Sequence, residues 1–93
     1  MVESKFKPGD IIRHFKRDDL YESEKAGNKY LYQVIGIAKH TETEESMLVY
    51  QALYYPFQMF TRPLAMAEEK VDKEKYPDAV QEYRLELYNK ETD

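Results

Sequence analysis

Cysteine is absent from this chain, glycine occurs three times and proline four, and no apolar run approaches the ~20 residues of a membrane-spanning helix. The missing thiols exclude disulfides and thiolate chemistry and fit a reducing cytosol. The scarcity of glycine and proline, with no low-complexity tract or internal repeat, predicts one largely ordered domain over residues 1–93. The opening MVESKFKPGD lacks an apolar segment, so no secretory signal is expected and a cytoplasmic location is. Gly9, Gly27 and Gly36 stand alone, which leaves no phosphate-cradling loop. Ser4, Ser23 and Ser46 occupy no nucleophile-elbow context. The two histidines form no His-x-His or His-x-x-x-His pair, and no metal or cofactor is expected.

Charge of one sign is also missing from most of the chain. Residues 1–67 carry nine acidic and nine basic groups, whereas residues 68–93 carry nine acidic and five basic, so the net charge of −4 belongs to the tail. A neutral body lacks the basic stripe that drives phosphate-backbone binding, which makes a nucleic-acid partner less expected.

What the chain does have is a pair of β-rich arms. Tyr30 to His40 and Met47 to Tyr54 are rich in Val, Ile, Leu and Tyr, and flank the polar segment 41–46. Such residues suit a pleated surface, and the polar break reads as a hairpin. Ile11 to Lys16, after the Lys7-Pro8-Gly9-Asp10 turn, is a first strand. Gln58 to Arg62, after Tyr55-Pro56, is a fourth, ended by Pro63. Gly36 inside an arm marks a bend or bulge. Leu64 to Ala67 reads as one helical turn, followed by a short strand over 68–71. From Pro77 the pattern is ambiguous: Ala79, Val80, Tyr83 and Leu87 fit a helical stripe, and Tyr83, Leu85 and Leu87 fit a strand. A short helix from Pro77 to about Tyr83 and then extended chain is the favoured reading, with 17–29 mainly a long, mobile loop that could hold a short helical turn over 20–25. The fold class is mostly β: a small SH3-like barrel or strongly bent antiparallel sheet of about five strands, with a short C-terminal helix.

Symmetric turns would set His40 opposite Met47 and Val49 opposite Arg62. That register gathers His40, Glu42 and Arg62 at one end of the sheet, beside the hydroxyls of Thr41 and Thr43, with Tyr50 as a supporting contact. The forked guanidinium and the polar groups suit an anionic or carboxylate ligand. The bland alternative pairs Arg62 with Glu42 and uses the threonines to close the turn. His14 pairs near Tyr32 in this reading and is a partly buried structural histidine. No catalytic constellation emerges. The expected role is a non-enzymatic binding module for a small anionic ligand, peptide or protein. The alternatives are RNA or single-stranded DNA binding through surface tyrosines, or a small enzyme using His40 as base.

Four motifs occur in order: Arg13 to Lys16, Tyr32 to Thr43, Val49 to Tyr54 and Arg62 to Met66. Together they resemble the bacterial domain-of-unknown-function family 1653. The likeness covers about residues 9–71, leaving 17–29 as an insertion and 72–93 as a C-terminal extension. Ala67 stands where the family typically has Phe. The resemblance implies a compact, mostly β domain similar to an SH3-like barrel, and carries no activity with it.

Overall fold

The computed structural model describes residues 5–88. Five strands form one open antiparallel sheet: β1 (Ile11–His14), β2 (Leu31–Lys39), β3 (Ser46–Ala52), β4 (Met59–Pro63) and β5 (Leu85–Leu87), in the spatial order β4-β3-β2-β1-β5. A 3-10 turn (Phe15–Asp19) and a one-turn helix α1 (Glu22–Lys25) separate β1 from β2. A second one-turn helix, α2 (Leu64–Ala67), follows β4 as its sequence predicts.

The period of two in β3 makes one face: Leu48, Tyr50 and Ala52 are buried and the residues between them only partly so. Their cross-strand partners continue that face, with Ile37 beside Leu48, Val34 beside Tyr50 and Tyr32 beside Ala52 and Ile12. Phe6, Leu64, Ala67 and Leu85 close the cluster. A wholly buried side chain such as Leu48 contributes about 1.5–3 kcal/mol through removal from water. Near Gly36 the pairing shifts between Val34 and Gly36, leaving Ile35 extra and half-exposed. This is the bulge expected of that glycine.

The fifth strand is not the one the sequence suggests. Residues 68–71 contribute only a single bridge, Lys70 to Tyr83, and the fifth strand is instead β5, paired with β1. Nor do residues 77–83 form a helix. Side chains capture the backbone groups that a helix would need. Asp18 Oδ2 accepts from the amides of Val80 and Gln81 (2.9 and 3.2 Å), Gln81 Nε2 donates to the carbonyl of Tyr83 (2.9 Å), and Lys73 Nζ donates to that of Gln81 (2.7 Å). Val80, a member of the supposed apolar stripe, is 83% exposed.

The segment read as a loop over 17–29 is pinned rather than loosely tethered. Arg17 is buried, with its guanidinium donating to the carbonyls of Lys25 and Lys29, both at 2.8 Å. Beside it, Arg13 pairs with Asp18 at 2.5 Å and also bonds Gln81 Oε1. This polar node fastens the segment after β1 to the chain that leads into β5.

Candidate functional site

Both hairpin registers differ from the symmetric expectation, and the difference relocates the candidate residues. The first loop is His40 to Glu45. His40 N–H donates to the carbonyl of Glu45 and Glu44 N–H returns to that of His40, both at 2.8 Å, while Glu44 adopts φ 63°. Pairing therefore ends at Lys39–Ser46, and Met47 faces Ala38 rather than His40. The second turn is closed by Phe57 N–H to the carbonyl of Tyr54 (2.7 Å) around a cis Tyr55-Pro56 bond. Arg62 then faces Leu48, not Val49. With a side-chain period of two, a one-residue slip carries a side chain to the other face. Arg62 thus shares the face of Leu48 and Tyr50.

The six candidate residues accordingly divide. His40, Thr41, Glu42 and Thr43 form the exposed hairpin tip. His40 Nδ1 accepts from the amides of Glu42 and Thr43 (3.1 and 3.2 Å), and Thr43 Oγ1 accepts from that of Glu45 (3.3 Å). Tyr50 and Arg62 instead line a cavity of about 150 Å³ together with His14, Lys16, Tyr30, Tyr32 and Phe60. No ion pair joins Arg62 or Lys16 to a carboxylate among the described residues, and no acidic side chain lines this cavity.

The sheet builds this cavity strand by strand. β4 contributes Phe60 and Arg62, β3 contributes Tyr50, β2 Tyr32, and the end of β1 His14. Phe60 stacks on Tyr50, with centroids 5.7 Å apart and planes at 29°, and Tyr32 meets Tyr50 edge-on at 5.3 Å. The Tyr32 hydroxyl is tied to that of Tyr54 at 2.8 Å. Burial, followed by that hydrogen bond, pushes the Tyr32 phenol up. Burial also raises Tyr50, against the opposing pull of Arg62. Both rings stay neutral hydrogen-bonding groups at ordinary pH.

His14 lies opposite Tyr30, whose carbonyl accepts its amide (3.0 Å), two residues before the position expected for its partner. Burial lowers its pKa to about 4, helped by the positive charges of Arg62, Lys16 and Arg84. The imidazole is therefore neutral near pH 7. Its Nδ1 accepts the Lys16 amide at 3.1 Å, which assigns the proton to Nε2 and leaves a donor available. Tyr30 adopts φ 65°, a conformation rare for a bulky residue. Among the described residues the other two non-glycine residues of positive φ, Glu44 and Phe57, close hairpins, whereas Tyr30 lines the cavity.

The ligand site read from sequence does not include His14, Lys16, Tyr30, Tyr32 or Phe60. For His14 and Lys16 the signal is at hand in Arg13-His14-Phe15-Lys16, but only the folded sheet brings that segment to the same cavity as Arg62. Among the described residues no three His, Asp or Glu side chains are grouped to hold a metal ion, and no helix is long and apolar enough to cross a membrane.

Comparison with known families gives one match. The model described as "Protein of unknown function (DUF1653)" aligns with residues 10–86, reaching beyond Val71 to include most of β5 and the node around Asp18 and Gln81. A search of curated proteins found no match, and neither did a search of solved structures.

Proposed function

Since the chain belongs to the DUF1653 family, whose description carries no activity, we propose from the site alone that it is a non-enzymatic binding module for a small anionic ligand. The observation that carries this reading is the aromatic cavity with two cations, Lys16 and Arg62, and no carboxylate. An uncompensated guanidinium beside neutral phenols offers forked, charge-assisted hydrogen bonds to a carboxylate or phosphate. His14 Nε2 and the Tyr50 hydroxyl add neutral donors. The rings supply a face for an apolar body.

Size narrows the ligand. A cavity of about 150 Å³ is the size that accepts a single benzene-like ring. An aromatic carboxylate of one ring matches both the volume and the charge. Nine heavy atoms at modest efficiency give a dissociation constant on the order of 10–500 µM. The hairpin tip is assigned a turn-closing role, because the His40 ring nitrogen and the Thr43 hydroxyl are engaged with backbone amides. That engagement weighs against His40 as a base. A nucleic-acid stacking platform loses Tyr50 and Tyr54, which both pack on Tyr32, and keeps Tyr55, Phe57 and Phe60 as its exposed rings. The reading extends to a protein of the bacterial cytoplasm; the chain without cysteine supports only its reducing compartment.

Amide chemical-shift titration with benzoate and with inorganic phosphate tests this. Saturable shifts at Lys16, Tyr50 and Arg62, lost in Arg62→Gln, are expected. Shifts confined to 40–43, or none at millimolar ligand, would overturn it.

A further inference from the structure

The cavity adjoins an open sheet edge. β4 pairs with β3 on one side and, among the described residues, with no strand on the other. Its protection is confined to one end: of its five residues Arg62 brings the one charge and Pro63 an edge proline, and Met59, Phe60 and Thr61 bring neither. Met59, Phe60 and Thr61 are all exposed. The Ala52 amide donates to the carbonyl of Gln58 at 2.9 Å, which sets the alternation of the ladder. Phe60 and Arg62 turn their backbone groups toward β3, and Met59, Thr61 and Pro63 turn theirs outward. Pro63, which has no N–H, therefore removes nothing from the β3 ladder. The outward amide and carbonyl of Thr61 have no partner among the described residues.

We propose that β4 is a docking edge for an extended acidic peptide segment, which adds as a sixth strand and delivers a carboxylate to Arg62 at the mouth of the cavity. This inference rests on the anion-binding reading above and names the source of the anion. Strand addition gives affinity through the main chain and specificity through alternate side chains. A peptide residue exchanging both bonds with Thr61 has its neighbours opposite Phe60 and Arg62, on the cavity face. An antiparallel segment then reads, from N to C, acidic residue, any residue, apolar residue. The acidic side chain meets Arg62 and the apolar one covers the exposed part of Phe60, whose inner face stacks on buried Tyr50.

Charge selects this occupant over a second copy of the chain. Symmetric β4–β4 pairing about Thr61 would set the two Arg62 side chains diagonally, ~7–8 Å apart on one face, with two cation-lined cavities abutting. A peptide carboxylate compensates the charge that a second copy would double.

The test uses fluorescein-labelled peptides with the core Glu-Thr-Phe, its Lys-Thr-Phe counterpart, and the first peptide N-methylated at its central threonine. Anisotropy is measured with the full chain. Binding of the acidic peptide is expected, at least tenfold weaker for the lysine and N-methyl forms. Thr61→Pro, which removes one outward donor and leaves the β3 ladder intact, should weaken binding similarly. Equal binding of the N-methyl or lysine form would overturn the inference, without depending on how any variant folds. Failure of all peptides while benzoate still shifts Lys16 and Arg62 would refute strand addition and spare the cavity reading. Failure of both probes would remove both. A concentration-dependent dimer abolished by Thr61→Pro would overturn the peptide in favour of a second copy.

Discussion

Asp18 offers the sharpest test of how the C-terminal segment is held. Its side chain is 4% exposed, pairs with Arg13 at 2.5 Å, and accepts the amides of Val80 and Gln81. Asp18→Asn keeps the shape and removes the charge. Breaking a buried ion pair at one partner costs ~3–5 kcal/mol when the other is stranded. Arg13 keeps its bond to Gln81, and asparagine retains one acceptor oxygen, so the lower figure of ~2–3 kcal/mol applies. Against a total stability of ~5–14 kcal/mol for 93 residues, that is a large share. It corresponds to a fall in Tm of about 8–20 °C. Urea and thermal melts followed by circular dichroism give the global number, and hydrogen exchange localises it. The amides of Val80 and Gln81 should lose protection first. As a control, Glu69→Gln removes an exposed partner of Arg84 at 3.7 Å and should cost less than ~1 kcal/mol. A loss under ~1 kcal/mol for Asp18→Asn, with protection of those two amides unchanged, would refute the view that this node anchors the segment.

Other perturbations probe the core, the bulge and the cavity. Leu85→Ala, at a wholly buried position of β5, should cost ~2–5 kcal/mol in denaturant melts, as for any core strand. Gly36→Ala should be neutral or stabilise by up to ~1 kcal/mol, since a Cβ there meets nothing within 4 Å and the residue does not need positive φ. His14 should titrate by NMR near pH 4, and a bound anion in the cavity should move that midpoint upward. Because its folded pKa lies below the unfolded 6.5, the unfolded state binds more protons between pH 4 and 6.5. Stability should therefore fall as pH drops through that window, and His14→Phe should flatten the dependence.

How far the sequence carries the fold can be seen strand by strand. The four hairpin-forming strands are legible because branched and aromatic residues alternate with polar breaks, and their positions hold to within a few residues. β5 is legible only as one of two readings: Tyr83, Leu85 and Leu87 fit a strand, but the stretch is too short for periodicity to decide, and its partner β1 lies more than 70 residues away. The supposed helix over 77–83 fails for a related reason: its backbone groups are taken by Asp18, Gln81 and Lys73, two of which are remote in sequence or span a turn. Propensity reads local preferences, and here tertiary hydrogen bonds override them.

The site shows why a small error in register matters more than a missed element. Arg62 and Tyr50 are candidates from sequence by their chemistry, and both line the cavity. The company expected for Arg62, His40 and Glu42, is separated from it because Ile37, not His40, lies in line with Leu48 and Arg62 across the sheet. His40 is three residues farther along, ~10 Å at ~3.3 Å per residue, and two strands away. Loop geometry decides this: a six-residue turn begun at His40 and a five-residue turn after Ala52 fix which side chains share a face. Once Arg62 is on the face of Leu48, its partners follow from the sheet order. Tyr50 and Phe60 precede it along that face, and Tyr32 and His14 extend the row across β2 and β1. A guanidinium moved from a polar hairpin tip to an aromatic cavity loses competing carboxylates and gains rings. The same residue thus passes from a surface ion-pair candidate to a cation lining an aromatic cavity that holds no carboxylate.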